Sequence, residues 1–98
     1  METPSFLMDN NAKRRFDMIN EKFFASSLGK QIRYARMKKG LSLEQLGERT
    51  SMSPNFIGRI ERGTSIPKSF TLYKLCKELG INPSFLFIQA EKEYKEQI

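Results

Sequence analysis

A chain of 98 residues has the size of one small domain or one domain with an arm, and its 17 Lys+Arg against 11 Asp+Glu give a net charge of +6 that suits an acidic partner. Zero His and one Cys exclude imidazole-based triads, His-containing metal sites, an internal disulfide and a Cys-only zinc site. No apolar run approaches the roughly 20 residues that span a bilayer, and METPSFLMDNN lacks the features of a secretory signal, so a cytoplasmic protein is expected.

In chain order, residues 1–9 contain Pro4 and read as a frayed end. Residues 10–25 read as an amphipathic helix with Phe16, Ile19, Phe23 and Phe24 on one stripe. Ser26-Ser27 reads as a break and an N-cap pair. The next helix covers residues 28–39, with Leu28, Ile32 and Ala35 inward and Gly40 as its stop. Ser42 caps a short helix over residues 43–49. After a turn at Ser51-Met52, Ser53 caps a helix that opens on Pro54, runs to about Arg62 and stops at Gly63. A loop over 64–68 leads to a helix over 69–79 that ends at Gly80. Asn82-Pro83 starts a last helix, whose polar continuation over 89–98 either extends it or frays.

No alternating β-branched run lies between turn residues, so the expectation is all-α: five short helices, preceded by one amphipathic helix. The organisation expected is an arm over 1–27, a domain over 28–88 and a helical extension over 89–98. Charge follows it. Residues 1–27 sum to zero, residues 28–63 hold eight cations against three anions, and residues 64–98 hold five Lys against four Glu. Alone, such an excess is as consistent with a solvated face as with a binding face.

The stretch LEQLGERTSMSPNFIGRIERG packs a short helix, a tight turn and a second helix into about 20 residues. Helices joined this tightly cross steeply, and Gly47 supplies the small contact the crossing needs. Leu46, Met52, Ile57 and Ile60 form the shared apolar face. The other side of the second helix shows Pro54, Asn55, Gly58, Arg59 and Arg62, which is polar, basic and free of bulky aliphatics.

With LGKQIRYARMKKGLS before it and IPKSFTLYKLCKELGINPSFLF after it, this stretch resembles a helix-turn-helix domain of the XRE or lambda-repressor-like family. The features in register are Arg36, Gly40-Leu41, Gly47, Ile57, Ile60-Glu61-Arg62-Gly63, Pro67 and Leu79-Gly80, and they cover about 60 residues. The resemblance implies a recognition helix, about 54–62, in the major groove of double-stranded DNA. It also implies a structural ion pair between Arg36 and Glu61.

Base contacts are then expected from Pro54, Asn55, Phe56, Gly58 and Arg59. Asn suits adenine and Arg suits guanine, Phe56 fits either a thymine methyl or internal packing, and Gly58 lets the backbone approach. Phosphate contacts are expected from the helix N-terminus at Leu43, the Ser53 hydroxyl, Arg62, the Thr64-Ser65 amides and Lys68. Lys38 and Lys39 are read chiefly as solvated charge.

Three positions depart from the family pattern. Leu43 stands where many members carry a phosphate-contacting Gln, and Ser51 stands where the turn commonly has Gly. Ser69-Phe70 breaks the usual polar/apolar order, so Phe70 is exposed or its helix begins one residue late.

Cys76 lies on the apolar stripe of its helix and is expected in the core, with Tyr34 and Tyr73 half-buried as packing residues. Four consecutive apolar residues, Phe85, Leu86, Phe87 and Ile88, exceed what one face of a short helix buries, so a dimer interface is expected there. The Phe16, Ile19, Phe23, Phe24 stripe packs on its own domain or on another chain, a regulatory protein partner included.

No glycine-rich phosphate loop, metal-ligand cluster or nucleophile–base pair is recognisable, so no enzyme, cofactor, metal or membrane role is expected. The reading is a DNA-binding transcriptional regulator, a homodimeric repressor on a pseudo-palindromic operator. The alternatives are an antitoxin or restriction-modification controller of the same fold, or a protein-interaction adaptor that has lost DNA binding.

Overall fold

The longest helix, α1 (Glu21–Lys38), opens the part of the chain that the computed structural model describes, residues 18–97. Its N-cap is Asn20, whose side-chain oxygen accepts the Phe23 N–H at 2.7 Å. The break expected at Ser26-Ser27 does not occur, because α1 runs straight through it. The reason is tertiary. The Ser27 hydroxyl is buried and donates to Glu93 Oε1 at 2.7 Å, so it has a partner 66 residues away and no need to cap. The boundary expected between residues 27 and 28 thus falls inside one helix, and residues 21–27 belong to it. Phe16 lies outside the described residues.

Four further helices follow: α2 (Leu43–Thr50), α3 (Pro54–Glu61), α4 (Ser69–Leu79) and α5 (Pro83–Glu96). The described residues are therefore all-α, with the expected five core helices. Side-chain oxygens of Asn20, Ser42, Ser53 and Asn82 cap α1, α2, α3 and α5, whereas Lys68, the N-cap residue of α4, makes no side-chain cap hydrogen bond. The polar continuation after residue 88 extends α5 as helix to Glu96, with Ala90 fully buried.

One apolar cluster joins all five helices: Leu28 and Ile32 from α1, Leu46 from α2, Ile57 and Ile60 from α3, Leu75, Cys76 and Leu79 from α4, Leu86 from α5, and Leu41 between α1 and α2. Each such side chain contributes about 1.5–3 kcal/mol when fully buried. α1 packs on α3, α4 and α5, and α2 packs on α3 and α4.

The α1–α3 crossing is closest at Gly29, where an added Cβ would stand 2.3 Å from the Ile60 carbonyl oxygen and 2.6 Å from that of Glu61. At the α2–α3 crossing a Cβ on Gly47 would stand 2.5 Å from the Met52 carbonyl oxygen. Both helices that flank α3 therefore touch backbone through glycine, which fixes where α3 sits.

Cys76 lies in the core, and burial pushes its thiol pKa up. Tyr34 and Tyr73 are not half-buried: they are 68% and 56% exposed. Ile32 and Ala35 take the inward positions of α1, and Leu72, Leu75 and Cys76 those of α4, which leaves both rings outside. Phe70 is exposed and stacks on Tyr73 with ring centroids 6.1 Å apart, so α4 begins at Ser69 and the aromatic residue simply faces out. Within the apolar run of α5, Leu86 is buried and belongs to this chain's own core, while Phe85, Phe87 and Ile88 are exposed. Of the four, Leu86 is therefore taken by the core, while Phe85 and Ile88, three residues apart, share an outward face of α5.

Candidate nucleic-acid interface

The geometry starts at α2. Ser42 and Gln45 close a capping box: the Ser42 hydroxyl accepts the Gln45 N–H at 3.0 Å, and Gln45 Oε1 accepts the Ser42 N–H at 2.8 Å. At its far end the chain reverses through Ser51, with φ 58° and ψ 42°, and the Met52 N–H donates to the Gly47 carbonyl at 2.9 Å. Ser51 thus holds the left-handed conformation that glycine holds without a Cβ penalty. Ser53 then caps α3 by accepting the Phe56 N–H at 3.1 Å, and Pro54 occupies the first turn.

α3 is fixed from behind. Ile57 and Ile60 are fully buried. Glu61 receives two hydrogen bonds from the Arg36 guanidinium of α1, Nε to Oε2 at 2.7 Å and Nη2 to Oε1 at 2.9 Å. Arg36 Nη1 also donates to the Leu41 carbonyl at 2.8 Å, so one guanidinium ties α3 to the end of α1. The hydrogen bond to Glu61 raises the Arg36 pKa above its ordinary value, although burial works in the opposite direction.

On the outer side Asn55 and Arg59 are exposed, and the Arg59 guanidinium lies 5.6 Å from the centroid of the Phe56 ring. Pro54 and Phe56 are half-buried, and Phe56 packs against the core, so its packing role is realised. Gly58 departs from the expectation of an open backbone: it is buried, with Leu43 Cδ1 and Arg62 Nη1 near the position of a missing Cβ. Leu43, half-buried and packed on the core, fills the space over Gly58 and braces α3 through apolar contact.

Beyond α3, Gly63 takes φ +78° and the chain turns away. Thr64 corrects another expectation. Its N–H and its hydroxyl both donate to the Arg59 carbonyl, at 3.0 and 3.1 Å, so both donors close the end of α3 instead of facing a ligand. Ser53, Arg62 and Lys68 are exposed around the ends of α3 and at the start of α4, and Ser65 is half-buried in the same loop.

The sequence reading missed the start of α1. Glu21, Lys22 and Ala25 line a shallow depression of about 460 Å3 with Gly63, Thr64, Ser65 and Ile66. Asn20 followed by Glu21 was the available sign of a helix start there. Residues 21–27 do not hang free as an arm: Phe23 meets Tyr94 edge-on at 5.1 Å and Phe24 packs against Phe87 at 5.8 Å. Among the described residues no cluster of metal-ligating side chains forms, and no helix is long and apolar enough to cross a membrane.

A five-helix frame that presents a capped, glycine-crossed helix pair defines a lambda-repressor-like helix-turn-helix domain. Residues 32–86 match the helix-turn-helix family model HTH_3. The chain is 30% identical over 70 residues to transcriptional regulator ClgR of Mycobacterium tuberculosis, covering 71% of this chain and 62% of that protein. It is 35% identical over 65 residues to multiprotein-bridging factor 1 of Candida albicans, covering 66% of this chain and 43% of that protein, so it spans less than half of that relative's length. The clp gene regulator ClgR from Corynebacterium glutamicum superposes with a TM-score of 0.68 at 30% identity, covering 76% of this chain and 79% of that one. The chain belongs to the XRE/Cro-cI type of helix-turn-helix transcriptional regulators, a DNA-binding and non-enzymatic family.

Proposed function

We propose that the chain is a homodimeric repressor that reads a pseudo-palindromic operator by laying α3 in the major groove. One observation carries the reading. Asn55 and Arg59 project from a helix whose opposite side is locked by Ile57, Ile60 and the Arg36–Glu61 pair. Preorganised side chains on a rigid helix are what base recognition requires. Asn55 pairs with adenine and Arg59 with guanine, each for about 1–3 kcal/mol of discrimination. Ser53, Arg62, Ser65, Lys68 and the first amides of α2 at Leu43 position the domain on the phosphates. Phe85, Phe87 and Ile88 remain as the exposed apolar side chains of α5 through which two copies pair.

Selection of bound sequences from a random duplex pool tests this, followed by sizing of the complex. The expected result is an inverted repeat with half-sites about one helical turn apart, bound by two chains. Arg59→Ala should relax one base position, whereas Lys68→Ala should lower affinity evenly and flatten the salt dependence by about one unit of slope. Recovery of no preferred sequence, with the fold intact, refutes operator reading.

A second reading is a bridging role without operator binding. It is favoured by Leu43, whose apolar side chain packs on the core where many relatives place a polar phosphate contact. Weak binding to mixed duplex that stays flat across salt concentrations would favour it.

A further inference from the structure

On the side of α1 away from α3, an open groove of about 990 Å3 runs between α1, the α4–α5 connection and the start of α5. Leu79, Ile81 and Leu86 form its apolar floor. Tyr34 and Phe85 form its walls, 68% and 60% exposed, with no packing role in the core cluster. Water therefore covers two large rings beside an apolar floor, which is the arrangement of a docking surface.

The rim has a sign. Lys30, Lys38 and Lys39 line the groove, and the one acidic side chain in its lining is Glu93. Glu93 is already engaged by the Ser27 hydroxyl at 2.7 Å and by Gln89 Nε2 at 2.9 Å. Lys39 Nζ donates to the Glu78 carbonyl at 2.9 Å, and Lys38 Nζ stands 5.9 Å from the Tyr34 ring centroid. Lys30 and Lys38 are exposed with no carboxylate within ion-pair distance among the described residues. Lower in the groove, Gln31 Nε2 donates to the Leu86 carbonyl and to the Ser27 hydroxyl, while the buried Gln31 Oε1 has no donor among the described residues.

These features decide the occupant. A second copy docked face to face would set lysine against lysine. An enclosed pocket would suit a small molecule, but this one is an open trough flanked by helices, the shape that receives an amphipathic helix. We propose that the groove docks an acidic amphipathic helix of another protein, with its apolar stripe on Tyr34, Leu79, Ile81 and Phe85 and its carboxylates toward Lys30 and Lys38. The docking does not depend on what α3 reads. Where α5 pairs two copies, Phe85 belongs to both surfaces, so the docked helix competes with pairing.

The test is a displayed library of helical peptides of about 14 residues, with a fixed apolar stripe and randomised remaining positions, selected against the whole chain without DNA. Enriched peptides should carry Asp and Glu beside the stripe. A labelled enriched peptide should shift backbone amides of α1 and α5 and bind at least about tenfold more weakly to Lys30→Glu/Lys38→Glu and to Tyr34→Ala. Tyr34→Ala, exposed and outside the core cluster, should keep the parent's melting temperature. Lys30→Glu/Lys38→Glu sets an acid near Glu93 and another in the last turn of α1, and should melt a few degrees lower with an unchanged helical circular dichroism spectrum. Peptide binding measured well below both transitions separates lost docking from lost folding. The proposal is overturned by enrichment of nothing, or of neutral or basic peptides. Binding that these variants leave intact, or amide shifts centred on α3, also overturn it. So does self-association that Tyr34→Ala abolishes, which would make a second copy the occupant.

Discussion

Gly47→Ala tests the α2–α3 crossing directly. The added Cβ would meet the Met52 carbonyl oxygen at 2.5 Å and the Pro54 nitrogen at 3.4 Å. The first neighbour is backbone, and it belongs to a turn held by the Met52 N–H bond to the Gly47 carbonyl. To restore contact the turn must retreat by roughly an ångström, and overpacking of this kind costs about 1–3 kcal/mol. Alanine regains about 0.5–1 kcal/mol of helix preference. The two terms leave a net loss of up to about 2.5 kcal/mol, centred on about 1 kcal/mol, or roughly 4–8 °C in melting temperature for a domain of this size at that centre. Gly58→Ala is the control in α3. There the nearest atom is the tip of Arg62, Nη1 at 3.0 Å, which swings aside, so stability should hold or rise slightly. Thermal denaturation followed by circular dichroism reads both. If Gly47→Ala melts at or above the parent, or the two variants melt alike, the steric account of the crossing is wrong.

Glu61→Gln keeps the side-chain shape but leaves the Arg36 guanidinium, whose side chain is only 12% exposed, without its counter-charge. Urea denaturation should show a loss of about 3 kcal/mol or more with an unchanged m-value. Ser51→Gly removes a Cβ from a left-handed turn at φ 58°, and a gain of about 0.5–1 kcal/mol is expected in the same assay. Glu93 is held below its ordinary pKa near 4.5, first by the hydrogen bond from Gln89 and also by Ser27, with burial opposing. A depressed folded-state value means its contribution is present above the unfolded-state value and disappears as pH falls through the folded one. Glu93→Gln should therefore flatten the fall in melting temperature below about pH 4.5, and an unchanged slope would contradict the assignment.

The reading unit was legible because its rules are local. Ser42, Ser53, Pro54 and Gly63 punctuate the chain within a turn of where they act, and the need for a small residue at 47 follows from the shortness of the turn. The continuity of α1 through Ser26-Ser27 was not legible. Ser26-Ser27 carries the composition of a cap, and only the Glu93 carboxylate, brought over by α5, makes Ser27 a buried helical residue. Gly29 gave no sign either, since its need arises from the carbonyls of Ile60 and Glu61 in another helix. Gly58 and Thr64 were placed on the correct element with the wrong neighbours, because residue spacing gives a direction but not what Leu43, Arg62 or the Arg59 carbonyl does there.

Cys76 gives the molecule a way to be timed. It is the sole sulfhydryl in the chain, 3% exposed, and burial keeps it protonated. An alkylating reagent in excess therefore waits for α4 to come away from the other helices, and the adduct accumulates at a pace set by those excursions. Anything that grips the closed form, a duplex on α3 or a peptide beside Tyr34, slows that chronometer in proportion to its occupancy, with no label added to either surface.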